Sequence, residues 1–240
     1  MMPIGDVNPT RRTPYLTWIL IAINAVVFLW QLTLTPEQLQ EAFMQLAVVP
    51  RNISAAPFAP EAIFDSIRSM FMHGGWDHIL GNMLYLFLFG DNIEDRLGKA
   101  LYLALYFITG FAAVYGQVLI DPNSNIPMIG ASGAISGVLG AYLVMFPNVK
   151  VRAIVFLGVF GRIAELPALV VLGFWFLLQA IQGFASLTDV AYGGGVAFFA
   201  HIGGFIAGAV LAFVFVRMVP QPPPQERYEM LYERVGRGRR

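Results

Sequence analysis

Six long apolar runs decide what kind of solvent this chain can fold in. They fall at residues 14–34, 77–92, 98–120, 131–147, 165–186 and 195–217. A hydrocarbon core of about 30 Å takes roughly 20 helical residues to cross, and each run reaches or approaches that length. Lipid offers a backbone N–H or C=O no partner, so each run is expected to be a helix that satisfies its own hydrogen bonds. Composition agrees: 57% of the 240 residues are hydrophobic and 12% are charged, against about 25% charged in a soluble domain. The expectation is an all-α polytopic membrane protein with six transmembrane helices. The bundle covers residues 14–217, between a cytoplasmic N-terminal segment, 1–13, and a cytoplasmic basic tail, 218–240.

Residues 151–161 are also apolar but too short to span, and suit an interfacial or re-entrant segment; Arg162 and Glu165 separate them from the next run. Arg11 and Arg12 precede a first run with no small-residue cleavage site, so that run reads as a span and not as a cleaved leader. With the N-terminus in the cytoplasm, Arg96, Lys99, Lys150, Arg152, Arg162, Arg217 and the tail arginines all fall inside. Only Arg51 and Arg68 fall outside, both in one long loop. That asymmetry obeys the positive-inside rule. The net charge of zero predicts no nucleic-acid partner, and the lack of cysteine removes disulfides and thiolate metal sites.

The long first outer loop, about residues 35–76, opens with a helix start. Thr35 is the cap, Pro36 the first helical residue, and Gln38 closes a capping box. Leu39, Phe43 and Leu46 then share a face. Farther on, Ile63, Phe64, Ile67, Met70 and Phe71 form a second apolar stripe opposed by Asp65 and Arg68. Short amphipathic pieces of this kind lie in the membrane interface.

Polar side chains within spans are costly and therefore informative. Asn24, Gln117, Gln179 and Gln182 read as ordinary amide hydrogen bonds between packed helices. His78, Asn82, Ser132 and His201 are different, because topology sets them at one depth. The second run enters from outside at Trp76-Asp77, so His78 lies near its outer end and Asn82, at i+4, about 6 Å deeper on the same face. The fourth run, from Ser132 to Pro147, makes only about 22 Å of helix, so its outer start is sunk below the surface. His201 lies about 9 Å into the sixth run. Gly133/Gly137 and Gly204/Gly208 repeat the small-xxx-small pattern that lets helix backbones touch, which would bring serine and imidazole within reach.

A serine hydroxyl attacks only when a positioned base takes its proton. A neutral His201 supplies that base, and the N-terminus of the Ser132 helix supplies open N–H groups beside a tetrahedral oxyanion. Ser132 and His201 are thus the candidate catalytic pair, with His78, Asn82, Gly130 and Gly133 in support. No carboxylate lies at depth to orient the imidazole, since Asp121 and Asp189 sit in outer loops; the pattern is a dyad.

These residues resemble the motifs of the rhomboid intramembrane serine proteases. Gly130-Ala131-Ser132-Gly133 is similar to the family's GxSG, and Ala200-His201-Ile202-Gly203-Gly204 through Gly208 to its AHxxGxxxG. His78-Ile-Leu-Gly-Asn82 is similar to HxxxN, with Met70-Phe71-Met72-His73-Gly74-Gly75 before it, and Glu94-Asp-Arg-Leu-Gly98 to ExxxG. The motifs occur in the family's order across about residues 15–217. The resemblance implies Ser132 as nucleophile, His201 as base, and His78 and Asn82 as oxyanion contributors. It implies no cofactor and no metal, and single-span membrane proteins as substrates, cut near the outer face. It implies an integral protein of a prokaryotic plasma membrane with both termini cytoplasmic. It also sets Phe174, Trp175 and Phe176 of the fifth helix beside the lateral access path. One departure stands out: where many relatives have a tyrosine stacked on the histidine, this chain has Ser136.

Other classes fit less well. A zinc protease needs HExxH, absent around His73 and His78, and an aspartyl type needs two buried aspartates where Asp91 has no partner at depth. A client-binding relative without activity would usually lack Ser132 or His201, and both are present. A transporter would show repeats or charged midplane residues.

Overall fold

The computed structural model describes residues 1–157, 160–187 and 196–219. Asp189, the outer-loop start of the sixth run at 195 and the basic tail from 220 lie outside the described residues. Helix α1 (Tyr15–Gln31) is followed by three short helices, α2 (Pro36–Leu46), α3 (Pro50–Ala55) and α4 (Pro60–Ser69). Each of these three begins on a proline, whose missing N–H costs nothing in a first turn. The long helices α5 (Trp76–Leu97), α6 (Lys99–Ile120), α7 (Ser132–Met145), α8 (Ala168–Ser186) and α9 (Phe198–Met218) complete the bundle.

Among the described residues, α6, α8 and α9 are long and apolar enough to cross a membrane, and α1 and α7 are apolar but shorter. α5 has 22 residues and carries Asp91, Glu94, Asp95 and Arg96 near its C-terminal end. Large apolar side chains such as Val26, Leu29, Phe87, Leu119, Val210 and Phe213 face outward, as a lipid solvent allows.

α7 is the centre of the packing. Every residue from Gly133 to Tyr142 is buried, between α6 on one side and α9 on the other. The close approach expected of the glycines is present. A Cβ on Gly204 would run into the Gly133 carbonyl, one on Gly208 into Gly137 O, and one on Gly140 into Phe205 O. Gln117 of α6 accepts from Phe199 N at 3.1 Å, capping the first turn of α9 from a neighbouring helix.

Glu94 explains how α1 is anchored. From α5 it accepts from Leu16 N (3.0 Å), Thr17 N (2.8 Å) and Thr17 Oγ1 (2.9 Å), so the first turn of α1 is capped by a carboxylate 77 residues away. Gly98 then turns the chain from α5 into α6 at φ +77, a left-handed conformation that favours glycine. The Glu94…Gly98 motif therefore braces α1 as well as the α5–α6 corner.

The all-α expectation needs one correction. The described residues of the short apolar stretch 151–161, expected to be interfacial or re-entrant, are strands and not helix. Strands β2 (Lys150–Leu157) and β3 (Phe160–Pro167) pair antiparallel, and β1 (Met2–Asp6) adds to the other edge of β2. Val151 and Ala153 are buried while Arg152 and Phe156 are exposed, a period of two that a hydropathy count over 11 residues hides. The same hairpin takes residues 165–167 from the fifth apolar run, so α8 starts at Ala168. Arg152 Nε donates to Glu165 Oε1 at 3.0 Å across the strands. Asp6 of β1 docks the sheet on the bundle, accepting from Tyr142 OH (2.6 Å) and Asn92 Nδ2 (2.9 Å). Burial pushes the Asp6 carboxyl up to about 6, against the opposing hydrogen bond from Tyr142.

Before α5, the capping box is present: Gln38 N donates to Thr35 Oγ1 and Thr35 N to Gln38 Oε1 (3.3 and 3.0 Å). α4 meets the bundle through small residues. Its buried face is Ala62, Ser66 and Ser69, whereas Ile63 and Phe64 of the apolar stripe are exposed. Small residues let α4 sit close to α6, while Ile63 and Phe64 turn away from the protein and Met70, just past the helix, is buried in the core.

Candidate active site

Ser132 is the first residue of α7, and Ala131 before it offers no side-chain cap. The first intrahelical bond in this turn runs from Ile135 N to Ala131 O (2.9 Å). The N–H groups of Ser132 and Gly133 therefore point out of the helix end without intrahelical acceptors. Ser132 is half-buried. Its position is fixed by the glycine contacts to α9 and by Gly133 against Ala113 of α6.

His201 sits one turn into α9, and its Nε2 lies 2.8 Å from Ser132 Oγ. Its other nitrogen, Nδ1, lies 2.6 Å from Gln179 Oε1 on α8. Trp175, also on α8, sets its ring 6.1 Å from the imidazole at 37°. Sequence reasoning gave Gln179 the role of an ordinary interhelical amide. Its partner is not readable from the sequence, because helix rotation about its own axis is invisible in a run that is apolar on most sides. Ser136 does not compensate for the missing tyrosine, since its hydroxyl donates back to Ser132 O at 2.6 Å.

His78 and Asn82 stand on one face of α5 beside Gly130. A Cβ at Gly130 would lie 2.5 Å from His78 Nε2 and 3.6 Å from Asn82 Nδ2. Gly130 also has φ +113, so glycine is required there twice over, by space and by backbone. Gly74 N donates to His78 Nδ1 at 3.3 Å. That nitrogen is then the acceptor, and the ring proton is on Nε2, facing Gly130. Asn82 is buried, and its Nδ2 has no hydrogen-bond partner among the described residues. Two N–H donors therefore converge on the segment that leads into Ser132.

The segment before α5 holds this edge in place. Gln31 of α1 clamps the His73 backbone, accepting from His73 N (3.0 Å) and donating to His73 O (2.8 Å). The His73 ring is buried and packs edge-on to His78, with centroids 5.0 Å apart. Burial, and secondarily the neighbouring His78, push the His73 imidazole down to about 4. Gly130 N donates to Ser69 O at 2.8 Å, tying the approach to Ser132 to the end of α4.

Of the expected site residues, Ser132 and His201 are in direct contact, Gly133 follows Ser132 in the chain, and His78 and Asn82 stand beside Gly130, two residues before Ser132. Phe176 stacks on Phe205 of α9 at 4.5 Å, whereas Phe174 is exposed.

Comparison with known proteins points one way. A family model described as "Rhomboid domain" matches residues 60–218. "Rhomboid protein 1, mitochondrial" of Saccharomyces cerevisiae is 28% identical over 210 residues, 85% of this chain and 54% of that protein. "Putative rhomboid protease YdcA" of Bacillus subtilis is 29% identical over 153 residues, 63% of this chain and 66% of its own length. "RHOMBOID-like protein 5" of Arabidopsis thaliana is 31% identical over 151 residues, 62% of this chain and 43% of that protein. The chain thus spans less than two thirds of each of these relatives.

Proposed function

We propose that this chain, which belongs to the rhomboid family and is an integral membrane protein, is an intramembrane serine endopeptidase acting through Ser132 and His201. The observation that carries the reading is the 2.8 Å contact between His201 Nε2 and Ser132 Oγ. It is the distance at which a histidine takes a serine proton. In the first step Ser132 Oγ forms a bond to a peptide carbonyl carbon while its proton passes to His201 Nε2. The oxyanion is met by the N–H groups of Ser132 and Gly133 and by His78 Nε2–H and Asn82 Nδ2. Collapse breaks the C–N bond, and His201 returns the proton to the leaving amine. Water then attacks the acyl-enzyme, giving its proton to His201, and the new carboxyl product leaves as Ser132 recovers its hydrogen.

Six helices, α1 and α5 to α9, cross the bilayer in this account, with Ser132 opening to the outer side. The 14 residues of α7 make about 21 Å of helix, too little to reach both surfaces, so a sunken serine in a water-accessible cavity fits its length. The substrates are single-span membrane proteins cut near the outer face. The basic residues of Arg11, Arg12, Lys99, Lys150 and Arg152 at the opposite end support that orientation.

The test is cleavage of a single-span reporter co-reconstituted in liposomes, with the product termini read by mass spectrometry. The account expects one cut near the membrane surface by wild type and none by Ser132→Ala. Equal cleavage by both proteins contradicts it.

A further inference from the structure

The serine–histidine pattern lacks the usual orienting group for His201: among the described residues no carboxylate bonds its ring, and Ser136 occupies the place of a stacking tyrosine. We propose that Gln179 of α8 is the positioning residue that fixes the tautomer and ring plane of His201, with Trp175 one turn earlier flanking the ring. The inference rests on the dyad reading above and adds to it a third member from a different helix.

Three observations carry it. First, Gln179 Oε1 is 2.6 Å from His201 Nδ1 while Nε2 is 2.8 Å from Ser132 Oγ. An amide oxygen only accepts, so the ring proton belongs on Nδ1, and the lone pair of Nε2 faces the serine. The opposite tautomer would aim an N–H at the nucleophile and leave it without a base. Second, α8 is held in rotation so that Gln179 cannot easily turn away. Trp175, Gln179 and Gly183 recur every four residues on one face. Gly183 lies against α9, where a Cβ would be 3.2 Å from Phe198 Cβ and 3.4 Å from Ile202 Cδ1. Phe176 stacks on Phe205 beside them. Third, the chemistry suits the solvent. A carboxylate at this depth carries a large desolvation cost, whereas an amide carbonyl is neutral and still presents its dipole to the imidazolium that forms during transfer.

The arrangement joins the base to α8 and the nucleophile to α7, with α9 between them. Any rotation of α8 that withdraws Gln179 releases His201 without touching Ser132.

The chain has three histidines, so a full-length sample labelled with 15N-histidine in detergent micelles reports the His201 tautomer among few signals. The variants are Gln179→Met, which removes the acceptor at similar length, and Gln179→Glu, which keeps an oxygen there. Wild type is expected to show Nδ1–H at His201. In the methionine variant that tautomer is lost or mixed with the other. Its fluorophosphonate labelling and kcat fall about ten- to hundredfold, part of the roughly 10²–10⁴ that a positioned base supplies, with KM little changed. The glutamate variant recovers both tautomer and rate. An unchanged tautomer in the methionine variant overturns the proposal, whether or not the rate falls. If the wild type does not react at Ser132, the dyad reading fails by itself, and the tautomer comparison still decides the role of Gln179.

Discussion

Gly208 and Gly137 meet backbone to backbone, so that a Cβ on Gly208 would overlap the Gly137 carbonyl oxygen; Gly204 and Gly133 repeat the contact one turn closer to Ser132. These contacts hold α7 and α9 at a separation no larger residue permits. The 2.8 Å Ser132–His201 distance is inherited from them. Gly204→Ala or Gly208→Ala must push the two helices apart, and overpacking costs about 1–3 kcal/mol. Thermal melting in detergent should drop by several degrees, and activity should fall further than stability. Gly173, where an added Cβ would meet nothing within 4 Å among the described residues, is the control, and Gly173→Ala should melt at or above the wild-type temperature.

Asn82 offers a buried Nδ2 with no partner among the described residues, next to Gly130. A donor left open in the resting protein is one that can be satisfied in the transition state. Asn82→Ala should lower kcat by about 10²–10³ and leave the melting temperature nearly unchanged, since no hydrogen bond to Nδ2 is lost. A large fall in stability with unaltered kcat would place Asn82 in the packing alone.

Glu94 accepts three hydrogen bonds from the first turn of α1. Glu94→Ala strands those donors, at about 1.5–3 kcal/mol for bonds to a charged group. Proteolysis or hydrogen exchange should show α1 opening first, while labelling of Ser132 persists in the fraction that stays folded.

Two groups outside the spans, half-buried Asp6 and buried His73, give opposite pH dependences. Burial raises Asp6 to about 6 from 3.8. Its stabilising contribution is present below about 3.8 and is lost as pH rises through about 6. Asp6→Asn should therefore gain on wild type in melting temperature between pH 5 and 7. His73 is lowered to about 4 from 6.5, so its contribution is present above about 6.5 and lost as pH falls through about 4. A melting series from pH 4.5 to 8 on wild type and Asp6→Asn separates the two. The wild-type curve minus the Asp6→Asn curve isolates the Asp6 contribution, which should fall as pH rises from 4.5 to 7.

Much of this arrangement was legible in the chain itself. The apolar runs named the helices because lipid leaves the backbone no alternative. The Thr35–Gln38 box is local and needs no tertiary knowledge. The small-xxx-small pairs near Ser132 and His201 foretold close backbones because only glycine permits them. What escaped notice depended on rotation and on pairing at a distance. Gln179 and Gln182 look alike in a run apolar on most sides; only the seating of Gly183 against Phe198 decides which of them meets α9. The β2–β3 hairpin hid because its buried Val151 and Ala153 alternate with Ile154 and Phe156, which are apolar too. Its third strand comes from residues 2–6, which no local pattern connects to residue 150.

The central claim is that His201 activates Ser132, and the most direct measurement is reaction of the purified protein with a fluorophosphonate probe, the modified residue being mapped by mass spectrometry. The account predicts labelling of wild type at Ser132, none in Ser132→Ala, and a loss of at least about 10²-fold in rate in His201→Ala. Labelling that is undiminished in His201→Ala, or absent from folded wild type, would contradict it.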